Sequence, residues 1–135
     1  MCLYLYGSLY GDVPENEYEE IRKKYDIKIA LGTKHDVKEV VIGSEKYNWE
    51  EFRITNGICD CESAVGWHDV NDKEITELRD LILELSALPG AKQINICKTE
   101  EGRQNKKEVR LKLKHVDVAS FLAEMHDNYF YSIEI

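Results

Sequence analysis

Between Asn71 and Gly90 the chain carries the signal that most restricts its fold. Ile75, Leu78, Ile82 and Leu85 recur at helical spacing, and Pro89-Gly90 ends the run. Asn71, with Glu74 three residues on, has the form of a capping box. A helix with one apolar stripe must bury it against a second layer. The sequence downstream supplies that layer. Lys92 to Thr99 reads as a strand with Ile94 and Ile96 inward. Lys107 to His115 alternates Val109, Leu111 and Leu113 against Arg110, Lys112 and Lys114. A polar turn at 102–105 joins the two, so a hairpin is predicted. Asp117 suits the N-cap of a short helix burying Val118, Phe121, Leu122 and Met125. Asn128 to Ile135 closes the chain as an aromatic, β-branched strand.

Phe52 to Thr55 reads as one more strand ahead of the helix. From there the order is β-α-β-β-α-β, the split βαβ order of ferredoxin-like folds. The prediction is therefore a single α+β domain over 1–135, a two-layer sandwich with a ferredoxin-like unit at 51–135. Residues 1–50 form a β-α-β-β extension. Its strand runs Cys2 to Tyr6, is interrupted at Gly7-Ser8, and leads through Leu9 and Tyr10 to a helix. Pro14 suits the first helical position, and Glu15, Glu17, Glu19 and Glu20 suit the positive end of the helix dipole. Ile27 to Leu31 and Val37 to Ile42 form a further hairpin, and 45–51 fits either a helical turn or a loop.

A chain of 135 residues buries a sizeable core without covalent staples. Its 43% hydrophobic and 33% charged content is that of a folded soluble domain. It has no apolar run long enough to span a membrane. Met1 to Tyr6 lacks the basic and apolar blocks of a secretion signal, so a cytoplasmic location is expected. There the four cysteines, Cys2, Cys59, Cys61 and Cys97, would be thiols or metal ligands rather than a disulfide framework.

The sharpest chemical feature is Cys59-Asp60-Cys61, in the long irregular stretch from Gly57 to Val70. Two thiols one residue apart suit soft-metal capture or thiol–disulfide exchange. Their place before a helix is similar to that of the CxxC pair in heavy-metal-associated domains. Here the spacing is CxC, and the N-terminal third has no counterpart in those domains. A structural zinc takes about four ligands. His68 and Cys97 are the nearest further candidates, with Cys2 and His35 beyond them. No cofactor is otherwise expected, and zinc is the ion such a set would hold. The plainer reading is a packed thiol pair without chemistry. A loop this long is often functional, although some are only packed down by an aromatic such as Trp67.

Charge is segregated. Lys92 to His115 holds eight basic residues against three acids, +5; the rest of the chain then carries −13 of a total of −8. Arg110, Lys112 and Lys114 leave one strand on the same side. With Lys98, Tyr4 and Tyr6, and with Tyr129 and Tyr131, they would make a platform on which bases stack and phosphates pair. The plainer reading is a solvated strand face on which lysine discourages edge pairing. Catalytic signatures are missing from the sequence: there is no Walker loop, GxGxxG, HExxH or nucleophile elbow. His35, His68, His115 and His126 are scattered. The expectation is a non-enzymatic binding protein acting on a protein partner or a second copy of itself, in the manner of an acidic inhibitor or regulator. Thiolate metal or redox chemistry at Cys59 and Cys61 is one alternative. Binding of single-stranded nucleic acid or a nucleotide on the 92–115 face is the other.

Overall fold

The computed structural model describes residues 3–25, 61–100 and 107–135. Over these residues the protein is an α+β structure with one four-stranded sheet and three α-helices. In chain order they are β1 (Leu3–Gly11), α1 (Glu15–Lys24), α2 (Lys73–Ser86), β2 (Ala91–Glu100), β3 (Lys107–Lys112), α3 (Val118–Glu124) and β4 (Tyr129–Glu134). The Phe52 strand, the 27–42 hairpin, the 45–51 segment and Cys59 lie outside the described residues.

The sheet order is β1-β2-β4-β3. β1 and β4 flank β2 antiparallel, and β3 runs parallel to β4 at the far edge. Two expectations are corrected here. The 92–115 hairpin does not form, because β4 inserts between β2 and β3. The described strands accordingly do not show the ferredoxin-like order. Local pattern located the four described strands, though not all their ends, but the pairing was decided by α3. A helix between β3 and β4 allows them to lie parallel, which a short turn cannot do. The third difference lies in β1, which passes through Gly7-Ser8 without a break, Gly7 facing Ile96 and Ser8 facing Asn95.

β1 extends the sheet beside β2, as the extension reading allowed. β2 is buried from Ile94 to Thr99 because it lies inside the sheet and carries side chains into both faces. On one face Leu5, Leu9, Ile94, Ile96, Tyr131 and Ile133 meet Ile75, Leu78, Leu81 and Ile82 of α2. α1 and α3 flank α2 on that side. Full burial of an aliphatic side chain stabilises by roughly 1.5–3 kcal/mol, so this layer drives folding. Leu5, Ile75, Ile96 and Leu122 are its most enclosed members.

The other face forms a regular grid fixed by the strand register. One row runs Glu108, Phe130, Cys97, Tyr6 across the four strands. The next runs Arg110, Ser132, Asn95, Ser8, and the third Lys112, Glu134, Gln93, Tyr10. Tyr6, Cys97 and Phe130 pack as a small buried cluster. The middle row is a hydrogen-bonded chain: Asn95 Nδ2 donates to Ser8 Oγ at 3.0 Å, and Ser132 Oγ donates to Asn95 Oδ1 at 3.0 Å. Gln93 Nε2 joins it, donating to Asn95 Oδ1 at 2.6 Å. A satisfied polar row inside a sheet resists register slip, since any shift would leave buried groups unpaired.

Element ends follow local chemistry, with adjustments. Asp72, not Asn71, caps α2, its carboxylate accepting from Glu74 N at 2.8 Å. Asp117 caps α3 as expected, accepting from Ser120 N at 3.3 Å. β3 ends at Lys112 and turns into a short 3-10 helix, Leu113–His115. Asn128 enters β4 with a left-handed backbone, φ 63°, and its amide oxygen accepts from Thr99 Oγ1 at 2.9 Å and Glu100 N at 3.1 Å. Asparagine tolerates that backbone better than most residues. Among the described residues no helix is long and apolar enough to cross a membrane.

Candidate functional site

Residues 61–72 have no regular secondary structure, yet their backbone is held at many points. Gly66 N donates to Leu122 O at 2.9 Å, and His68 N donates to Ala123 O at 2.7 Å. These bonds use carbonyls at the C-terminal end of α3, which have no partner within the helix. Gly66 has φ +88°, and a Cβ there would stand 2.8 Å from Met125 O. Only glycine lets the loop approach that closely. On the other side the Glu74 carboxylate accepts from Ser63 Oγ and from Ala64 N at 3.1 Å. The acid read as half of a capping box thus fastens the loop to α2.

Lys98 provides the deepest anchor. It is 2% exposed, on the helix-covered face, opposite Leu5 in register. Its Nζ donates to Val65 O at 3.0 Å. Its place on a predicted basic surface is therefore corrected: the residue points away from Arg110 and Lys112 and supports the loop from beneath.

The fixed loop presents Trp67. The residue is 68% exposed, with Val70 also exposed, so of the two readings the sequence left open the packed-down one does not hold. His68 follows with a left-handed backbone, φ 63°, and is exposed as well. Within 61–72 stand Glu62, Asp69 and Asp72, with no Lys or Arg. Glu124 and Asp127, exposed where the loop meets α3, add to the negative surround.

The thiols separate. Cys61 is half-buried at the start of this loop, and Leu3 N donates to its sulfur at 3.2 Å. Cys97 stands opposite Tyr6, three positions along β1 from Leu3, so about 10 Å of strand lies between the points where the two thiols meet β1. That spacing does not let the two sulfurs share one ion, whose Zn–S bonds are about 2.3 Å. Among the described residues no three His, Cys, Asp or Glu side chains gather as a metal site. Burial against Tyr6 and Phe130 pushes the Cys97 thiol well above its ordinary pKa. Only thiolate reacts readily. In native protein at pH 8, mass spectrometry after brief N-ethylmaleimide treatment should find Cys61 modified and Cys97 intact, with Cys97 reacting only in urea. Equal labelling of the two in native protein would contradict this burial.

The remaining predicted residues also disperse. Arg110 and Lys112 are exposed on β3, and Lys114 is exposed in the 3-10 turn. Tyr6 shares their face, but it lies at the opposite edge of the sheet and is buried. Tyr4 pairs with Thr99 in register, and its side chain lies outside the described set. Tyr131 faces the helices, edge-on to Phe121 at 5.0 Å, with its hydroxyl accepting from His126 N. No described aromatic thus lies exposed between the basic residues in the way a base-stacking platform requires. Sequence reasoning missed Trp67 as a presented residue. The signals were its neighbours Gly66 and His68 in a loop rich in acids and lacking bases.

Comparison with known protein families, with curated proteins and with solved structures finds no match.

Proposed function

We propose that the protein acts by binding a protein partner through the 61–72 loop, with Trp67 as the anchor. The observation that carries this reading is a tryptophan left two-thirds exposed on a loop whose backbone is tied to α2, α3 and β2. An exposed indole on a mobile segment would cost ordering entropy on binding. A fixed one keeps most of that cost out of the complex. Tryptophan is among the residues most enriched where interfaces concentrate their energy. The acids around it favour a partner that offers an apolar socket edged by Lys or Arg, and they would repel a nucleic-acid backbone. The overall charge of −8 acts in the same direction. The proposal keeps the expectation of an acidic regulator and assigns its contact to the 61–72 loop.

The test compares wild-type protein with Trp67→Ala and Asp69→Lys as bait in native lysate. A stoichiometric partner, identified and purified, should bind the wild type and lose at least about 30-fold in affinity to Trp67→Ala, as removal of an anchor costing about 2 kcal/mol implies. Asp69→Lys should weaken binding chiefly at low salt. The melting temperature of Trp67→Ala should match the wild type, because its indole faces solvent, whereas Asp69→Lys also gives up the bond that the Asp69 Oδ1 accepts from Asn71 N at 3.1 Å and should melt slightly lower. Equal affinity of the wild type and Trp67→Ala for the purified partner would sink the proposal.

A further inference from the structure

On the opposite face of the sheet, away from the Trp67 loop, lies a concavity of about 320 Å³ between β3 and the C-terminal end of β4. We propose that it binds a small zwitterion of the amino-acid class.

The volume lies at the small end of the range for small-ligand sites, roughly 300–1,000 Å³. Its floor is built and satisfied. Asn95, 2% exposed, is locked to Ser8, Ser132 and Gln93, so none of these side chains must reorganise when a ligand arrives. Gln93, part of the lining, spends its amide hydrogens on Asn95 and Ser132, which leaves its carbonyl oxygen as an acceptor. Phe130 and Leu111 supply the apolar part of the lining.

The charges at the rim decide the ligand class. Among the described residues Arg110 uses only Nε, donating to Glu108 at 3.2 Å, and its side chain is 84% exposed. Its remaining N–H groups keep the planar fork that grips a carboxylate with two bonds. Glu134 lies across the cavity on β4, one strand over, and has no ion-pair partner among the described residues. Lys112 stands opposite Glu134 in register but does not reach it. A bare anion would meet Arg110 but also Glu108 and Glu134. A bare cation would meet those acids but also Arg110. A molecule carrying both charges a few ångströms apart satisfies each side, its carboxylate on Arg110 and its ammonium between Glu134 and the Gln93 carbonyl.

The experiment is NMR titration of isotope-labelled full-length protein. The probes are glycine, L-leucine, L-phenylalanine, L-lysine and L-glutamate, with acetate as the anion alone and butylamine as the cation alone. The expected result is saturable shifts of the Asn95 and Gln93 side-chain amides and the Arg110 Nε–H with at least one amino acid. Acetate and butylamine should bind at least tenfold more weakly than that amino acid. Arg110→Gln and Glu134→Gln should each lower its affinity at least tenfold, with unchanged melting, since both side chains are exposed. Acetate binding as tightly as the amino acid would reveal a simple anion site and overturn the proposal. So would silence across the whole panel, or retention of affinity in either variant.

Discussion

Replacing Gly90 with Ala is expected to destabilise the protein by about 3–5 kcal/mol, through positive-φ strain together with a steric clash. Gly90 sits at the entry to β2 with φ +84°, and an added Cβ would lie 2.1 Å from Asp12 O. The obstacle is backbone, so no side-chain rotation relieves it. Gly11 faces the same junction from β1, where a Cβ would meet Gly90 O at 2.2 Å. The two chain segments therefore touch backbone to backbone where β1 and β2 end their pairing, at a register shift between Tyr10 and Gly11. Either α2 must shift or the β1–β2 ladder must open at that end. Urea unfolding measures the loss directly. Gly90→Asn separates the causes: asparagine accepts a positive φ more readily than alanine but keeps the Cβ. It should cost nearly as much. A Gly90→Ala variant within 1 kcal/mol of wild type would show that the junction yields easily.

Lys98→Ala should cost about 3 kcal/mol, through a cavity where the buried aliphatic stem was and the loss of the donor to Val65 O. Lys98→Met should behave differently. Methionine restores most of the stem volume, so global stability should stay within about 1 kcal/mol of wild type. The tie to the loop is nevertheless gone. Amide exchange at 64–68 should accelerate, and the fluorescence anisotropy of Trp67, read in a Trp49→Phe background, should fall. If the Met variant leaves exchange and anisotropy unchanged, Lys98 is filling the core and not positioning the loop. The pair of variants thus divides packing from positioning, and the Met variant weakens partner binding only if loop rigidity contributes to it.

Much of the fold was legible because its cause is local. The 3.6-residue period of Ile75, Leu78 and Ile82 and the two-residue period of Val109 and Leu111 each follow from where side chains point along one element. The caps were less legible. Asp72 displaced Asn71 because Glu74 was drawn to Ser63 and Ala64, groups that no local pattern links to it. Strand pairing was not legible. β2 and β3 adjoin in sequence, and a short polar connection between strands suggests a hairpin; α3 then returns β4 into the space between them.

The site followed the same division. The sequence marked the 57–70 stretch as chemically loaded and drew attention to its thiols. In the structure Trp67 stands exposed on that stretch, while Cys59 lies outside the described residues. Cys61 and Cys97 are held apart by three strand positions, and neither their separation nor the exposure of an indole is encoded in spacing. Lys98 shows the limit most plainly. In sequence it is one lysine among the eight basic residues of 92–115. In β2, the parity of the strand turns it into the core, toward a carbonyl 33 positions away.

By itself, then, the sequence determined the main element types of the described residues, their apolar faces, the caps in outline and the separation of charge, because each depends on neighbours within a few residues. The tertiary structure alone decided the order of the described strands, the burial of Lys98, the exposure of Trp67 and which charges share a concavity. Those outcomes depend on contacts between residues distant in sequence, whose energies no local period records.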